Sequence, residues 1–368
     1  MSQSPSLAFE VTERPDRLAE AERNVILANP GFGQKFSDHM ALAVWRKGEG
    51  WGDARITAYG PLQLEPSAAV LHYAQEIFEG MKAYKHADGS VWTFRPEANA
   101  ARFARSAHRL ALPAMEEEDF LESLRALVKT DLDWVPDSTT GEASLYLRPF
   151  MFASEAFLGV RPAAEVTYCL IASPAGSYFS GGLKPVSLWI SEHYSRAGIG
   201  GTGAAKCGGN YAASLAAQIE AGEHGCDQSV FLDSVEQKYI EELGGMNVFL
   251  VYKDGRIVTP ELTGSILEGV TRSSILELAK ELDLTPEERR ISLEEWRTGA
   301  ESGEITEAFA CGTAAVVTPV GRLVWTDGEV RTGPEGEGGE VATKIRESLL
   351  DIQTGRAEDT RGWLTRLV

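Results

Sequence analysis

The chain has 368 residues, of which 43% are hydrophobic and 24% charged, and its net charge is −19 at pH 7. This length predicts two domains of ordinary size, or three, and the composition is typical of a globular protein in solution. The acidic charge argues against nucleic acid and anionic membranes as partners, because both bind basic surfaces. No apolar run reaches the roughly 18 residues of a membrane span, and the N-terminal segment lacks the pattern of a signal peptide.

The cysteines and histidines indicate neither a disulfide framework nor a metal site. The four cysteines show no CxxC spacing, and the six histidines show no HxH or HExxH. We therefore expect no metal, and reduced thiols in a reducing compartment such as the cytoplasm.

The first half of the chain predicts an α/β domain. Residues 1–30 are mostly polar and predict an arm. Pro96 is expected to open a helix, because proline is tolerated in a first helical turn, and this helix carries Arg102, Arg105 and Arg109 on one stripe. Such a stripe is usually a solvated face, and an anion-binding role is the alternative. The other predicted elements are a strand-like run over 36–52, a short helix or extended run over 72–80, a hairpin of strands 81–85 and 91–94, a helix over 119–135, and strands over 143–152 and 165–173.

A run rich in Gly, Ser and Pro over residues 174–185 predicts the domain boundary. The predicted organisation is a small N-terminal domain of 1–179, a linker of 180–185, and a larger domain of 186–368 that anchors the cofactor. Elements predicted in the second domain are a strand over 227–234, a pair of strands over 240–260, a helix from 269, a short helix over 291–299, a strand–turn–strand over 307–325 and a helix from 339.

The most informative stretch begins at residue 198, where six glycines in twelve residues surround one lysine, Lys206. No charged residue lies beside this lysine in its own segment. If Lys206 is buried, its ammonium form is disfavoured and its neutral amine can form an imine. The alternative is a surface lysine in a flexible loop, as most lysines are. Ala205-Lys206-Cys207 does not match the Gly-Lys-Ser/Thr of a nucleotide-binding P-loop. The helical run that follows carries Tyr211, Leu215 and Ile219 on or near one face.

A phosphate-bearing, imine-forming cofactor needs an amine, an acidic partner at its ring nitrogen and an anion cradle. Glu241 and Glu242 alternate on a predicted strand, so only one of them can face a given site. Two solvated glutamates at a sheet edge are the alternative. Cradles are offered by Gly269-Val270-Thr271 at a helix start and by Gly312-Thr313-Ala314 in a turn, although any helix start has this character.

Seven ordered motifs make the chain resemble the branched-chain amino acid aminotransferases, enzymes of fold type IV that use pyridoxal 5′-phosphate (PLP). The motifs are FEGMKAY, FRPEANAARF, SLYLRP, KCGGNYAASL, EELGGMN, EGVTR and CGTAAVVTP. The resemblance implies a two-domain α/β (α+β) fold like that of D-amino acid aminotransferase. It also implies reversible, ping-pong transfer of the amino group of Leu, Ile or Val to 2-oxoglutarate through pyridoxamine phosphate. This reaction ends the synthesis of these amino acids or begins their degradation, and the implied enzyme is a cytoplasmic homodimer.

The resemblance also implies a role for each site residue. Lys206 would form the imine with PLP and move the proton between the substrate Cα and C4′. Tyr211 would hydrogen-bond the ring O3′, and Glu242 would pair with the ring nitrogen. The phosphate would be bound by Arg102, Val270, Thr271 and Thr313. The substrate would be bound by Phe32, Tyr73, Phe78, Tyr146, Arg148, Tyr178, Gly245, Thr313 and Ala314. Arg148 would receive the distal carboxylate of glutamate, and some of these residues would come from the partner subunit.

Two departures from the family pattern and two alternative functions remain. Ala315 and Thr318 stand where mammalian members carry a CxxC redox pair, and Gly245 stands where many relatives have threonine. One alternative is another fold type IV enzyme, a D-amino acid transaminase or an aminodeoxychorismate lyase, whose chains are shorter. The other alternative is a catalytically silent PLP-binding paralogue, against which the intact Lys206, Tyr211 and Glu242 argue.

Overall fold

The computed structural model describes residues 6–139, 141–176 and 184–368, and within these residues it contains two nine-stranded sheets. The helices are α1 (Glu20–Ala28), α2 (Ala69–Tyr73), α3 (Pro96–Arg109), α4 (Glu117–Thr130), α5 (Gly208–Glu223), α6 (Val270–Glu281), α7 (Leu293–Ser302) and α8 (Glu340–Gln353). The strands are β1 (Glu10–Val11), β2 (His39–Arg46), β3 (Gly50–Ala58), β4 (Glu76–Phe78), β5 (Met81–Lys85), β6 (Val91–Phe94), β7 (Ser144–Ala153), β8 (Glu165–Ala175), β9 (Val186–Ser191), β10 (Gln228–Leu232), β11 (Ile240–Leu243), β12 (Asn247–Tyr252), β13 (Arg256–Thr259), β14 (Thr285–Glu288), β15 (Ile305–Gly312), β16 (Val316–Trp325), β17 (Gly328–Arg331) and β18 (Leu364–Arg366).

The predicted hairpin is confirmed, since β5 and β6 have the predicted bounds and pair antiparallel. The helix predicted to open at Pro96 is also confirmed as α3. The predicted pair of strands over 240–260 is instead three strands. The Gly244-Gly245 break ends β11 at Leu243, and β12 begins at Asn247. The described part of the predicted arm contains β1 and α1.

Residues 1–178, 205–208 and 351–368 form the first of two compact units. Its sheet runs in the order β1-β3-β2-β8-β7-β5-β6-β18, with β4 paired to β7. The central strands β7 and β8 are largely buried and pair antiparallel along their lengths. The core packs Phe103 of α3 against the rings of Phe120 and Tyr168, with centroid distances of 5.3 and 6.0 Å. These contacts fix the position of α3, which carries several site residues.

This unit differs from the predicted first domain at two segments. Residues 205–208 belong to it because the Phe78 N–H donates to the Lys206 carbonyl and the Lys206 N–H donates to Ser106 Oγ, each at 2.9 Å. Residues 351–368 belong to it because β18 pairs with β6 at the edge of its sheet. Residues 180–183 of the predicted linker lie outside the described residues.

Residues 179–204 and 209–350 form the second unit. Its sheet runs in the order β11-β10-β9-β16-β15-β12-β13-β14, with β17 paired to β16. Trp296 of α7 is fully buried in its core, and its indole N–H donates to Thr332 Oγ1 at 3.1 Å. No helix in the part of the chain that the structure describes is long and apolar enough to cross a membrane.

Candidate functional site

Lys206 lies at the centre of a polar cluster in the first unit. Its Nζ is 4.8 Å from the centroid of the Phe78 ring. Withdrawal from water, followed by the charge of Arg102, lowers the pKa of Lys206 from 10.5 to about 8. An amine with this pKa is partly neutral near neutral pH, and the neutral form is the nucleophile that imine formation requires.

Glu79 and Arg102 form a buried ion pair beside this lysine. Arg102 Nε and Nη2 donate to the two carboxylate oxygens of Glu79 at 2.7 and 2.8 Å. Glu79 is fully buried and Arg102 is 4% exposed, whereas Arg105 and Arg109 of the same helix are exposed. Burial raises the pKa of Glu79 and Arg102 lowers it, and the net direction is downward, so the carboxylate is ionised.

Helix α3 supplies a polar stripe to this cluster. Arg95 precedes Pro96 in a left-handed conformation, and the helix then places Asn99, Arg102 and Ser106 at i, i+3 and i+7 on one face. Asn99 Nδ2 donates to Glu79 at 2.7 Å. The sequence analysis missed Glu79, Asn99 and Ser106. For Asn99 and Ser106 a signal was available, because polar residues at helical spacing beside buried apolar ones indicate a buried polar contact.

A cluster of three aromatic rings and one arginine, here called the aromatic pocket, lies beside the lysine, and its four residues are all predicted substrate residues. The rings of Phe32 and Tyr146 are 5.0 Å apart. The Arg148 guanidinium lies 4.9 Å from the Phe78 ring centroid and 5.3 Å from that of Tyr146, and it donates to the Tyr146 hydroxyl at 3.1 Å. A Cβ atom at Gly80 would overlap this hydroxyl, so glycine is required there. The pocket therefore combines apolar walls with one cation.

The sequence analysis also assigned Tyr73 and Tyr178 to the substrate. Tyr73, at the end of α2, is 40% exposed, and its ring lies 6.1 Å from that of His72. Tyr178 lies outside the described residues. Their roles in substrate binding stay predictions.

In the second unit, the two adjacent glutamates of β11 have different surroundings, as strand alternation predicts. Glu242 is 2% exposed, and its Oε2 accepts from the Leu267 N–H at 3.0 Å and lies 3.0 Å from Arg196 Nη1. Glu241 accepts from the Ser265 hydroxyl and lines a surface cavity of about 350 Å³. Glu242 is therefore the carboxylate that is fixed by a cation and a backbone N–H.

Arg196 is a residue that the sequence analysis missed. Its guanidinium lies 6.0 Å from the Tyr211 ring centroid, and its Nε and Nη2 are buried without a hydrogen-bond partner among the described residues. It stands 46 positions before Glu242, and no local pattern links the two.

Gly245 lies close to Tyr211, since a Cβ there would be 3.3 Å from Tyr211 Cε1. The branched Cβ of a threonine at this position would therefore press on the tyrosine ring.

The start of α6 is suited to an anion. The helix begins at Val270, and its N-cap, Gly269, has no side chain to cap the first turn. The N–H groups of Val270 and Thr271 have no acceptor within the helix, and they lie at its positive end. Thr271 is buried and Val270 is half-buried. This geometry is typical of phosphate sites.

The second predicted cradle is the turn between β15 and β16. Thr313 and Ala314 lie in it and are half-buried. Arg346 of α8 fixes the end of the turn, because its Nη1 donates to the carbonyls of Ala315 and Val317 at 2.5 and 3.1 Å. Arg346 is a second positioning residue that the sequence analysis missed.

A family model for the class IV aminotransferases matches residues 76–323, which is more than half of the chain. The branched-chain-amino-acid aminotransferase of Mycolicibacterium smegmatis is 56% identical over 367 residues, covering 99% of each chain. The chain belongs to the class IV aminotransferases, and within them to the branched-chain-amino-acid aminotransferases.

Solved structures agree with this family. The branched-chain amino acid aminotransferase of Escherichia coli is 31% identical with a TM-score of 0.72, and the match covers 89% of this chain and all of that one. The T.th. branched-chain amino acid aminotransferase with pyridoxamine 5′-phosphate is 30% identical with a TM-score of 0.72, covering 89% and 99%. The same enzyme has also been solved with N-(5′-phosphopyridoxyl)-L-glutamate. The expected fold type IV architecture is thus confirmed, and the chain is a transaminase that uses PLP.

The residues present fit PLP. Lys206 supplies an amine with a lowered pKa. Glu242 supplies a carboxylate fixed by Arg196, and the uncapped start of α6 supplies N–H groups for a phosphate.

The environment of Lys206 predicts its reactivity in the full chain stripped of cofactor. Modification of Lys206 by trinitrobenzenesulfonate should rise with pH around a midpoint near 8, because only the neutral amine reacts. Ordinary surface lysines have a pKa of about 10.4. Peptide mass spectrometry of samples modified at a series of pH values measures the midpoint, with the exposed Lys253 as the internal comparison. A Lys206 midpoint equal to that of Lys253 would contradict the burial argument.

Proposed function

We propose that the chain transfers the amino group of leucine, isoleucine or valine reversibly to 2-oxoglutarate, with PLP bound through Lys206. The observation that carries this proposal is the amine of Lys206, with its pKa lowered to about 8, beside an aromatic pocket that contains Arg148. The name of the M. smegmatis relative and the glutamate adduct in the T.th. structure support this choice of substrates.

When bound, PLP supplies an electron sink for the pair left behind as the substrate Cα–H bond breaks. Lys206 Nζ would take the proton from the substrate Cα and deliver it to C4′ of the bound cofactor, and a base whose pKa lies near the working pH is suited to both transfers. Glu242, fixed by Arg196, is assigned to the ring nitrogen, and Tyr211 to the ring hydroxyl. A carboxylate partner keeps the ring nitrogen protonated, which a neutral or cationic partner would not do.

The phosphate is assigned to Arg102, to the N–H groups of Val270 and Thr271, and to Thr313. Arg102 supplies a full positive charge, whereas a helix start supplies only a partial one. A phosphate monoester carries about two negative charges at neutral pH, so it needs such a cation.

The pocket can accept both a branched apolar side chain and that of glutamate. Phe32, Phe78 and Tyr146 provide apolar surface, and Arg148 can pair with the distal carboxylate. One methylene more or less changes binding in an apolar pocket by only ~1–3 kcal/mol. The three branched-chain amino acids should therefore be accepted with overlapping efficiency. Gly245 and Ala314 are assigned to the pocket by resemblance alone.

A substrate panel with a Lys206→Ala variant tests the activity. The native enzyme should use leucine, isoleucine and valine with 2-oxoglutarate. The variant should lose turnover and the visible absorption of the lysine-bound cofactor, although PLP can still associate through its phosphate. Normal turnover in the variant would refute the assignment of Lys206. No turnover by the native chain with any of these amino acids would favour the silent paralogue.

The arginine stripe of α3 gives a second prediction. Arg102→Ala leaves the phosphate without a charge-assisted partner, a loss of roughly 1.5–3 kcal/mol. PLP affinity should fall about ten- to a hundredfold, at ~1.4 kcal/mol per factor of ten. Arg105→Ala and Arg109→Ala are matched controls, because both residues are exposed on the same helix. Titration of the three apoenzymes with PLP measures the difference. A larger loss in either control than in Arg102→Ala would overturn the assignment.

We also propose that the enzyme is a homodimer whose partner subunit contributes to the pocket. The supporting observation is an apolar patch of the first unit, formed by Leu71, Tyr73, Leu158 and Val160, which are 59%, 40%, 68% and 88% exposed. Backbone hydrogen bonds of 3.0 Å, from Ala69 N to Glu155 O and from Phe157 N to Ser67 O, join the two segments that carry it. Exposed apolar side chains grouped in this way are typical of an interface.

Val160→Asp tests the dimer, because a charge at the most exposed of these four residues would oppose association. Sedimentation equilibrium should show a dimer for the native chain and a shift to monomer for the variant. Val25→Asp is the matched control, since Val25 is 74% exposed on α1. A monomeric native chain, or a Val160→Asp variant that stays dimeric, would contradict this interface.

We propose that the enzyme is cytoplasmic, and the state of its thiols supports this location. Cys169, Cys207, Cys226 and Cys311 are all free and buried. Free thiols are usual in reducing compartments, and fractionation of the source cells checks the location.

A further inference from the structure

The buried carboxylate of Glu79 has no part in the roles assigned above, yet it forms an ion pair with Arg102. We propose that Glu79 is a positioning residue of the lysine site: its carboxylate fixes the Arg102 guanidinium and neutralises that charge beside the Lys206 amine. The proposal rests on the assignment of Lys206 as the amine that binds the cofactor, and it deepens that assignment by naming the group that tunes it.

Hydrogen bonds to several neighbours fix the carboxylate of Glu79. Its two oxygens accept from Arg102 Nε and Nη2 at 2.7 and 2.8 Å, from Asn99 Nδ2 at 2.7 Å and from the Gly80 N–H at 3.2 Å. Its own N–H donates to the Pro149 carbonyl at 2.7 Å. A two-point contact of this kind sets the plane of the guanidinium as well as its distance. The orientation of Arg102 is therefore determined by a residue of the segment between β4 and β5.

The charges around Lys206 explain how the Glu79–Arg102 ion pair affects the pKa of the lysine amine. The groups whose charge acts on the amine include Glu79, Arg102 of α3, and Tyr146 and Arg148 of β7. The two guanidinium groups oppose the ammonium form, and Glu79 and Tyr146 favour it. A proton carrier needs a pKa near the working pH. Two arginines without Glu79 would lower the pKa of the amine further. The neutral amine would then be a weaker base for the proton that it takes from Cα.

A pH titration of Lys206 in the full chain stripped of cofactor tests the charge balance, with trinitrobenzenesulfonate as the probe. Glu79→Gln should move the modification midpoint below that of the native chain, and Arg102→Gln should move it above. A role limited to packing would not produce opposite shifts from the two partners of one ion pair. Shifts in the same direction, or no shift in Glu79→Gln, would overturn the proposal.

Asn99→Ala is the matched control. It removes one donor from the same carboxylate and leaves both charges in place, so the midpoint should stay at the native value. A shift in Asn99→Ala as large as that in Glu79→Gln would mean that disturbed packing, rather than charge, moves the titration, and would overturn the proposal.

A double variant keeps the test informative if Glu79→Gln does not fold with Arg102 unpaired. Glu79→Gln with Arg102→Gln removes both charges and leaves no buried charge without its partner. Its midpoint should lie below that of Arg102→Gln alone, since the two differ only in the charge of Glu79. Equal midpoints would overturn the proposal.

The outcome also separates this inference from the proposed function. If Lys206→Ala retains turnover, the assignment of the lysine fails whatever the midpoints are. If Lys206→Ala is inactive and Glu79→Gln leaves the midpoint unchanged, the function stands and the role of Glu79 is refuted.

Discussion

A lysine amine withdrawn from water is the constraint on which the first unit's site depends. Burial alone disfavours the ammonium form, and Arg102 adds to that effect. Neighbouring residues act either on the charge near this amine or on the backbone of the lysine. Glu79 opposes the charge of Arg102, and Ser106 of α3 accepts from the lysine's own N–H at 2.9 Å. Two residues of α3, one turn apart, therefore act on this lysine. Ser106 accepts from its backbone N–H, and Arg102 lowers the pKa of its amine.

The groups of the second unit to which roles are proposed are positioned by a different means. Its groups come from the ends of elements rather than from a helix face: Glu242 near the end of β11, the N–H groups at the start of α6, and the turn between β15 and β16. Ends of elements carry backbone N–H groups without internal partners, which suits the recognition of a phosphate. Side chains then fix these ends, as Arg346 does for the turn.

The sequence predicted the residues whose types indicate their chemistry, and it missed those that act through a partner. Lys206 stands out among glycines. Alternation on β11 predicts that only one of Glu241 and Glu242 faces a given site, and the family resemblance assigns that role to Glu242. Arg196 and Glu79 carry no such signal, because their partners lie 46 and 23 positions away and only the fold brings them together. The same holds for 351–368, since β18 has three residues, too few to show alternation, and is defined by its pairing with β6.

Because the chain as a whole is strongly acidic, it needs local cations to bind anionic ligands. A protein with a net charge of −19 binds a phosphate and, by the proposed reaction, a dicarboxylate. Surface carboxylates are screened by salt beyond about 8–10 Å, whereas buried pairs are screened much less. Arg102 is 4% exposed, so its positive charge is screened little by salt. The charges of distant surface carboxylates are screened before they reach an anion bound beside Arg102. Such a buried cation needs a fixed counter-charge while no anion is bound, and Glu79 provides one.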